Sequence, residues 1–135
     1  MSRIYLDACA IIYFVEAGGP FHPAVVSRIL QIQSDPNSRL LTSRLSCLEC
    51  RIHPIRQRDD ELLATYNSFF NTSRLILIGI SDAVIERATT LRANHGFKTP
   101  DAIHLASAIE AKADLFLTGD ASLAHCPGLV VEVLG

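Results

Sequence analysis

Leu75-Ile76-Leu77-Ile78-Gly79-Ile80 is apolar at every position except its glycine. The run is the length of a strand and too short for a helix. Its lack of alternation predicts a strand covered on both faces, as in a parallel sheet between helical layers. Toward the C-terminus, Ser81-Asp82 predicts the cap of a helix to about Asn94, with Gly96 as its stop. Thr99-Pro100-Asp101 places an N-cap, a first-turn proline and an acid ahead of a helix to about Lys112. Leu115 to Thr118 reads as a strand, Asp120 to Ala124 as a short helical turn, and Leu129 to Val133 as a last strand.

Toward the N-terminus, Asp59 to Phe70 carries Leu62, Leu63, Tyr66, Phe69 and Phe70 on one side of a helix. It pairs as a hairpin with a helix that starts at Thr42 or Ser43 and passes through Glu49 toward Pro54, which is expected to end or kink it. Arg39 to Thr42 is a short strand, Pro23 to Gln33 an amphipathic helix, and Ala8 to Glu16 a helix broken by Gly18-Gly19-Pro20. Arg3 to Asp7 is the first strand. Strands separated by helical segments predict an α/β fold: three α/β/α layers around a central, mostly parallel sheet of about five strands.

At 135 residues, 49% apolar and 19% charged, the chain is expected to fold as one domain over residues 1–135, and disorder is excluded. No apolar run is long enough to span a bilayer, and the start lacks the pattern of a signal peptide, so a cytoplasmic location is expected. The four cysteines, Cys9, Cys47, Cys50 and Cys126, read as reduced thiols. Cys47-Leu48-Glu49-Cys50 has C-x-x-C spacing but no second pair and no clustered histidines.

The net charge of −2 at first argues against a nucleic-acid partner. Setting aside four acids as metal ligands leaves ten acids against twelve bases, ten of them arginines. Arg44, Arg51, Arg56 and Arg58 surround Glu49, and Arg44 and Arg51 are candidate RNA contacts, because guanidinium forks suit phosphate oxygens. A solvated helix face is the alternative.

In an open parallel sheet, ligands bind outside the carboxyl ends of the strands. Asp7 ends the first strand, Asp120 lies two residues past the fourth, Asp101 begins a helix and Glu49 sits in the second turn of another. Four carboxylates brought together repel unless a cation compensates, and oxygen donors suit Mg²⁺ or Mn²⁺. Such ions promote in-line phosphodiester hydrolysis without a covalent nucleophile. Taken singly, each acid also has a structural reading as a cap or a helix residue, and His104 reads as a core or supporting histidine.

Ile4-Tyr5-Leu6-Asp7, Thr42-Ser43-Arg44-Leu45-Ser46-Cys47-Leu48-Glu49, Pro100-Asp101-Ala102-Ile103-His104-Leu105-Ala106-Ser107-Ala108 and Leu117-Thr118-Gly119-Asp120 resemble, in that order, the acidic motifs of the PIN domain. The resemblance is strongest to the VapC-type toxins of prokaryotic toxin–antitoxin pairs and covers about residues 4 to 124. It implies a PIN fold, Mg²⁺ or Mn²⁺, and endonucleolytic cleavage of RNA. It also implies Asp7, Glu49, Asp101 and Asp120 as catalytic metal ligands, with Thr118 as a hydroxyl neighbour. A homodimer and an inhibitory small antitoxin are the implied partners.

The chain departs from the family pattern where Ala8 and Cys9 follow the first acid and Gly119 precedes the last, positions where polar residues are usual. Loss of such partners can lower metal affinity or activity roughly 10–100-fold. A non-catalytic binding module of the same fold and a phosphatase acting on small esters are the competing readings.

Overall fold

The computed structural model describes residues 2–134. Five parallel strands, β1 (Arg3–Leu6), β2 (Arg39–Ser43), β3 (Leu75–Ile78), β4 (Leu115–Thr118) and β5 (Val131–Val133), form one sheet in the order β3-β2-β1-β4-β5. Helices α1 (Ala8–Val15) and α2 (His22–Gln33) connect β1 to β2, and α3 (Arg44–Arg56) and α4 (Asp60–Phe70) connect β2 to β3. Between β3 and β4 lie α5 (Asp82–His95) and α6 (Thr99–Glu110).

The strands' two-residue period sorts their side chains into two cores. Ile4, Leu6, Leu40, Leu75 and Leu117 pack with residues of α1 to α4, among them Ile11, Ile29, Cys50 and Tyr66. Tyr5, Leu41 and Phe116 point the other way, against Val84, Leu91 and Leu105 of α5 and α6. Each fully buried Leu, Ile or Phe contributes about 1.5–3 kcal/mol relative to exposure. The result is the expected three-layer α/β/α arrangement, with every strand pairing parallel.

Local signals hold well at α5, where Ser81 Oγ accepts from the Val84 N–H and Gly96 closes the helix in the left-handed region at φ +73°. Three expectations are corrected. The apolar strand β3 is an edge strand, not one covered on both faces, and Ile76 is 37% exposed. Ile76 lies on the face that only α5 and α6 cover, whereas four helices cover the other. Pro54 does not end α3 but sits buried in its last turn. Only the final part of the ladder loses a donor there, and Gln57 N–H to His53 O (3.0 Å) and Asp59 N–H to Pro54 O (2.9 Å) close the end. Helix α6 begins at Thr99, so Lys98 is its N-cap: the Lys98 carbonyl accepts from the Ala102 N–H at 2.8 Å, with no side-chain cap.

Candidate active site

The connections leave β1 toward β2 and β3 on one side and return to β4 on the other, so the chain changes direction between β1 and β4. In such sheets the crevice at the carboxyl ends of those two strands is the usual ligand site. Asp7 follows β1 directly and is the N-cap of α1: Oδ1 accepts from the Ala10 N–H at 2.8 Å. Oδ2 accepts from Thr118 Oγ1 at 2.5 Å. The Thr118 oxygen in turn accepts from the Asp120 N–H at 3.0 Å, so one buried hydroxyl joins the ends of both strands. Burial raises the Asp7 pKa, and Asp101 adds to the rise, while the Thr118 and Ala10 hydrogen bonds and His104 oppose it.

Glu49 projects from α3, and its Oε1 lies 2.6 Å from His104 Nε2. The other ring nitrogen, Nδ1, is 2.7 Å from the Tyr5 hydroxyl, whose side chain is fully buried in β1. Tyr5 stacks on Phe116 at 5.1 Å and meets the His104 ring edge-on. Burial, with Asp7 adding, holds the Tyr5 phenol far above its ordinary value, so it keeps its proton. The neighbouring polar groups of Ser43 and Thr42 oppose that rise. The phenol proton is then directed at His104 Nδ1, leaving Nε2–H to donate to the Glu49 carboxylate. Thr42 Oγ1 bonds the Leu6 carbonyl and the Ser46 hydroxyl, each at 2.7 Å, fixing the floor between β1, β2 and α3.

Asp101 stands half-buried in the first turn of α6, and no hydrogen bond to its carboxylate exists among the described residues. Burial raises its pKa first, Asp120 and Glu49 raise it further, and His104 and Lys98 oppose them. Asp120 caps the 3₁₀ turn Ala121–Leu123: Oδ1 accepts from the Ser122 N–H (2.9 Å) and hydroxyl (2.7 Å), which hold its pKa below the ordinary range. The four acids therefore sense one another around a single crevice. Among the described residues, however, no three Asp, Glu, His or Cys side chains stand close enough to hold a metal ion as they lie. Their donor chemistry still suits a hard divalent cation: all are carboxylates, and two are pushed toward protonation by burial and mutual repulsion.

Arg44 is exposed at the start of α3, and Arg51 folds back so that its Nε donates to the Cys47 carbonyl at 2.7 Å. The same helix exposes Leu48, Ile52 and Ile55 beside Arg51 and Arg56. The surface there is mixed, not a continuous basic stripe.

The PIN-domain family model matches residues 4–129. The chain belongs to the PIN-domain family. PIN domains are generally nucleases. The VapBC2 complex of Rickettsia felis, solved bound to a DNA fragment from its promoter, is similar in fold at 16% identity and TM-score 0.80, covering 98% of this chain and 99% of that one. VapC20 of Mycobacterium tuberculosis, a toxin cleaving the sarcin-ricin loop, is similar at 17% identity and TM-score 0.78, with 98% and 99% covered. A toxin–antitoxin complex from Klebsiella pneumoniae is similar at 23% identity and TM-score 0.65, with 94% and 95% covered. A search of curated proteins finds no significant match.

Two features of this PIN domain escape a sequence reading. Tyr5 and His104 meet across 99 residues of chain. A tyrosine in an otherwise apolar strand is the signal, because a buried phenol needs a partner. The second feature links two of the three departures, Cys9 and Gly119. A Cβ at Gly119 would run into the Tyr13 ring and come within 2.9 Å of Cys9 Sγ. Tyr13 stacks on Phe21 at 4.9 Å and its phenol is pushed up to about 12, first by its hydrogen bond with Cys9. Ala8 is buried. Position 119 is small because Tyr13 and Cys9 fill the volume beside it.

Proposed function

We propose that this PIN domain, as a single domain over residues 1–135, is a Mg²⁺- or Mn²⁺-dependent endoribonuclease that hydrolyses RNA phosphodiester bonds. Asp7, Glu49, Asp101 and Asp120 are its metal-holding catalytic side chains. The observation that carries this is Asp101: a half-buried carboxylate without a hydrogen-bond partner among the described residues, facing the charges of Asp120 and Glu49. Such an arrangement disfavours the ionised form unless a cation joins it. Bound Mg²⁺ or Mn²⁺ supplies Lewis acidity, activating water and offsetting the negative charge of the phosphodiester.

The protein's own groups set up that chemistry. Thr118 orients Asp7 and, through the Asp120 amide, holds the two strand ends in register. Tyr5 and His104 fix one Glu49 oxygen and leave the other free.

Several fold relatives are toxins or toxin–antitoxin complexes, and they support assignment as the toxin of a VapBC-type pair. The partners are then a small antitoxin and a second copy of this chain, in the cytoplasm. No helix among the described residues is long and apolar enough to cross a membrane.

End-labelled total RNA incubated with purified protein in Mg²⁺, Mn²⁺ or EDTA, beside Asp7→Asn and Asp101→Asn, tests the activity. Discrete metal-dependent cuts lost in both variants are expected. The separation of the acids favours one alternative, a PIN-fold binding module without turnover. Intact RNA in every condition, with the protein folded and free of antitoxin, would establish that instead.

A further inference from the structure

The cleft that contains Asp101 and Asp120 continues past the two carboxylates. It measures about 180 Å³, and its lining also includes His95, Phe97, Lys98, Ser122 and His125. Phe97 is buried in the core beneath α5 and α6, while His125 is exposed with its imidazole stacked on the Phe97 ring at 4.5 Å and 21°. The backing ring is itself held in place. Gly96 turns the chain at φ +73°, and Arg92 Nη1 donates to the Phe97 carbonyl at 2.8 Å. An exposed flat ring fixed by a buried one is a stacking platform, since any base offers it a π-face.

Charge points the same way. Two carboxylates repel a phosphodiester, and with a net charge of −2 the chain needs a local cation to bring one near. Lys98 is exposed, its charge reaches both Asp101 and Asp120, and it takes part in no ion pair among the described residues. Its ammonium is therefore available to a phosphate. Arg51 and Arg56 of α3 line a different surface from this cleft, and Arg51 Nε donates to the Cys47 carbonyl there.

We propose that this part of the cleft is a nucleotide subsite: an unpaired RNA base adjoining the scissile phosphate stacks on His125, backed by Phe97, and Lys98 takes the phosphate that joins them. The subsite rests on the ribonuclease reading of Asp101 and Asp120. It gives that reading a direction, since the strand runs from the acids toward the His125 end of the cleft. A small nuclease that grips an unstacked base selects single-stranded or looped RNA over duplex.

Fluorescence anisotropy with a short fluorescein-labelled single-stranded RNA of mixed sequence, in EDTA at several salt concentrations, tests this on the full chain. His125→Ala is expected to weaken binding about 5–30-fold with the salt slope unchanged, and His125→Phe to restore it. Lys98→Ala is expected to flatten the slope of log K against log salt by about 0.7, and Lys98→Arg to restore it. Melting temperatures close to wild type confirm that these exposed substitutions leave the fold intact. Wild-type protein that does not bind the RNA, or binding indifferent to both residues, overturns the subsite.

A parallel cleavage assay separates the two readings. Cleavage lost in Asp101→Asn, with binding indifferent to His125 and Lys98, removes the subsite and keeps the nuclease. Binding that depends on both residues, with no cleavage in Mg²⁺ or Mn²⁺, does the reverse.

Discussion

Gly119→Ala tests whether Cys9 and Gly119, beside the first and last acids, form one packed unit with Tyr13. A Cβ at this position collides with the Tyr13 ring, coming to 3.1 Å from its Cζ and 2.9 Å from Cys9 Sγ. The backbone at Gly119 lies outside the left-handed region, so the penalty is steric. Adding a methyl to a packed environment costs about 1–3 kcal/mol. The reduced freedom of the unfolded chain returns about 0.4–1 kcal/mol. A net destabilisation of up to about 2.6 kcal/mol follows, a fall of up to about 10 °C in melting temperature for a chain of this size. In a Tyr13→Ala background the methyl has space, and the half-exposed Cys9 thiol can rotate into what remains. There Gly119→Ala is expected to be neutral or slightly stabilising. Thermal melts of the four proteins in EDTA measure the coupling, which for residues in contact runs to about 0.5–3 kcal/mol. An equal effect of Gly119→Ala with and without Tyr13 would refute the steric account. By the same account Gly119→Asn, although it restores the residue usual in the family, lowers stability and does not raise cleavage.

Other expectations follow from the same crevice. His104→Ala leaves the buried Tyr5 hydroxyl without its acceptor and Glu49 without its anchor, and urea unfolding should show a loss of about 2–4 kcal/mol; a loss within error of zero would mean the relay is not formed in solution. Burial, then Asp120, raises the folded-state pKa of Asp101. A raised value means that the group's contribution is full below the unfolded pKa of about 3.9 and is lost as pH rises through the folded value. Asp101→Asn should thus raise the melting temperature of the metal-free protein at neutral pH and leave it unchanged in strong acid, and a decrease at neutral pH would contradict this sign. Lengthening the unpartnered acid, Asp101→Glu, should retain part of the cleavage rate, whereas Asp7→Glu must give up two hydrogen bonds and should abolish it; equal losses would show that anchoring does not distinguish the two.

Much of this arrangement was legible because its determinants are local. Ser81 and Gly96 bound α5 by contacts within a few residues, and Asp120 caps its 3₁₀ turn through Ser122. Asp7 and Asp120 could be placed because strand ends are marked by where apolar runs stop. The position of β3 in the sheet could not be read, since residue type reports burial and not strand order. Nor could the Thr118–Asp7 bond or the Tyr5–His104–Glu49 relay, whose members meet only after the sheet forms. Read one at a time, Cys9 and Gly119 look like lost polar partners. Together with Tyr13 they are a single exchange of volume across the start of α1 and the end of β4.

The four acids are not equivalent, and the difference bears on how the proposed metal site assembles. Asp7 Oδ1 is committed to the Ala10 amide, Asp120 Oδ1 to Ser122 and Glu49 Oε1 to His104. Each of these side chains is therefore fixed through one oxygen. The second oxygen of Asp120 and of Glu49 carries no hydrogen bond among the described residues, and that of Asp7 is shared with Thr118 alone. One oxygen free on Asp120 and on Glu49, and one on Asp7 that accepts a single hydrogen bond, suit a cation that keeps several of its waters. Asp101 has no such anchor and faces the charges of its neighbours. The like charges of this set repel in the protein alone, and a cation among them would offset that repulsion. Asp101 is the side chain of the four that is free to rotate toward a cation, while a hydrogen bond holds at least one oxygen of each of the other three.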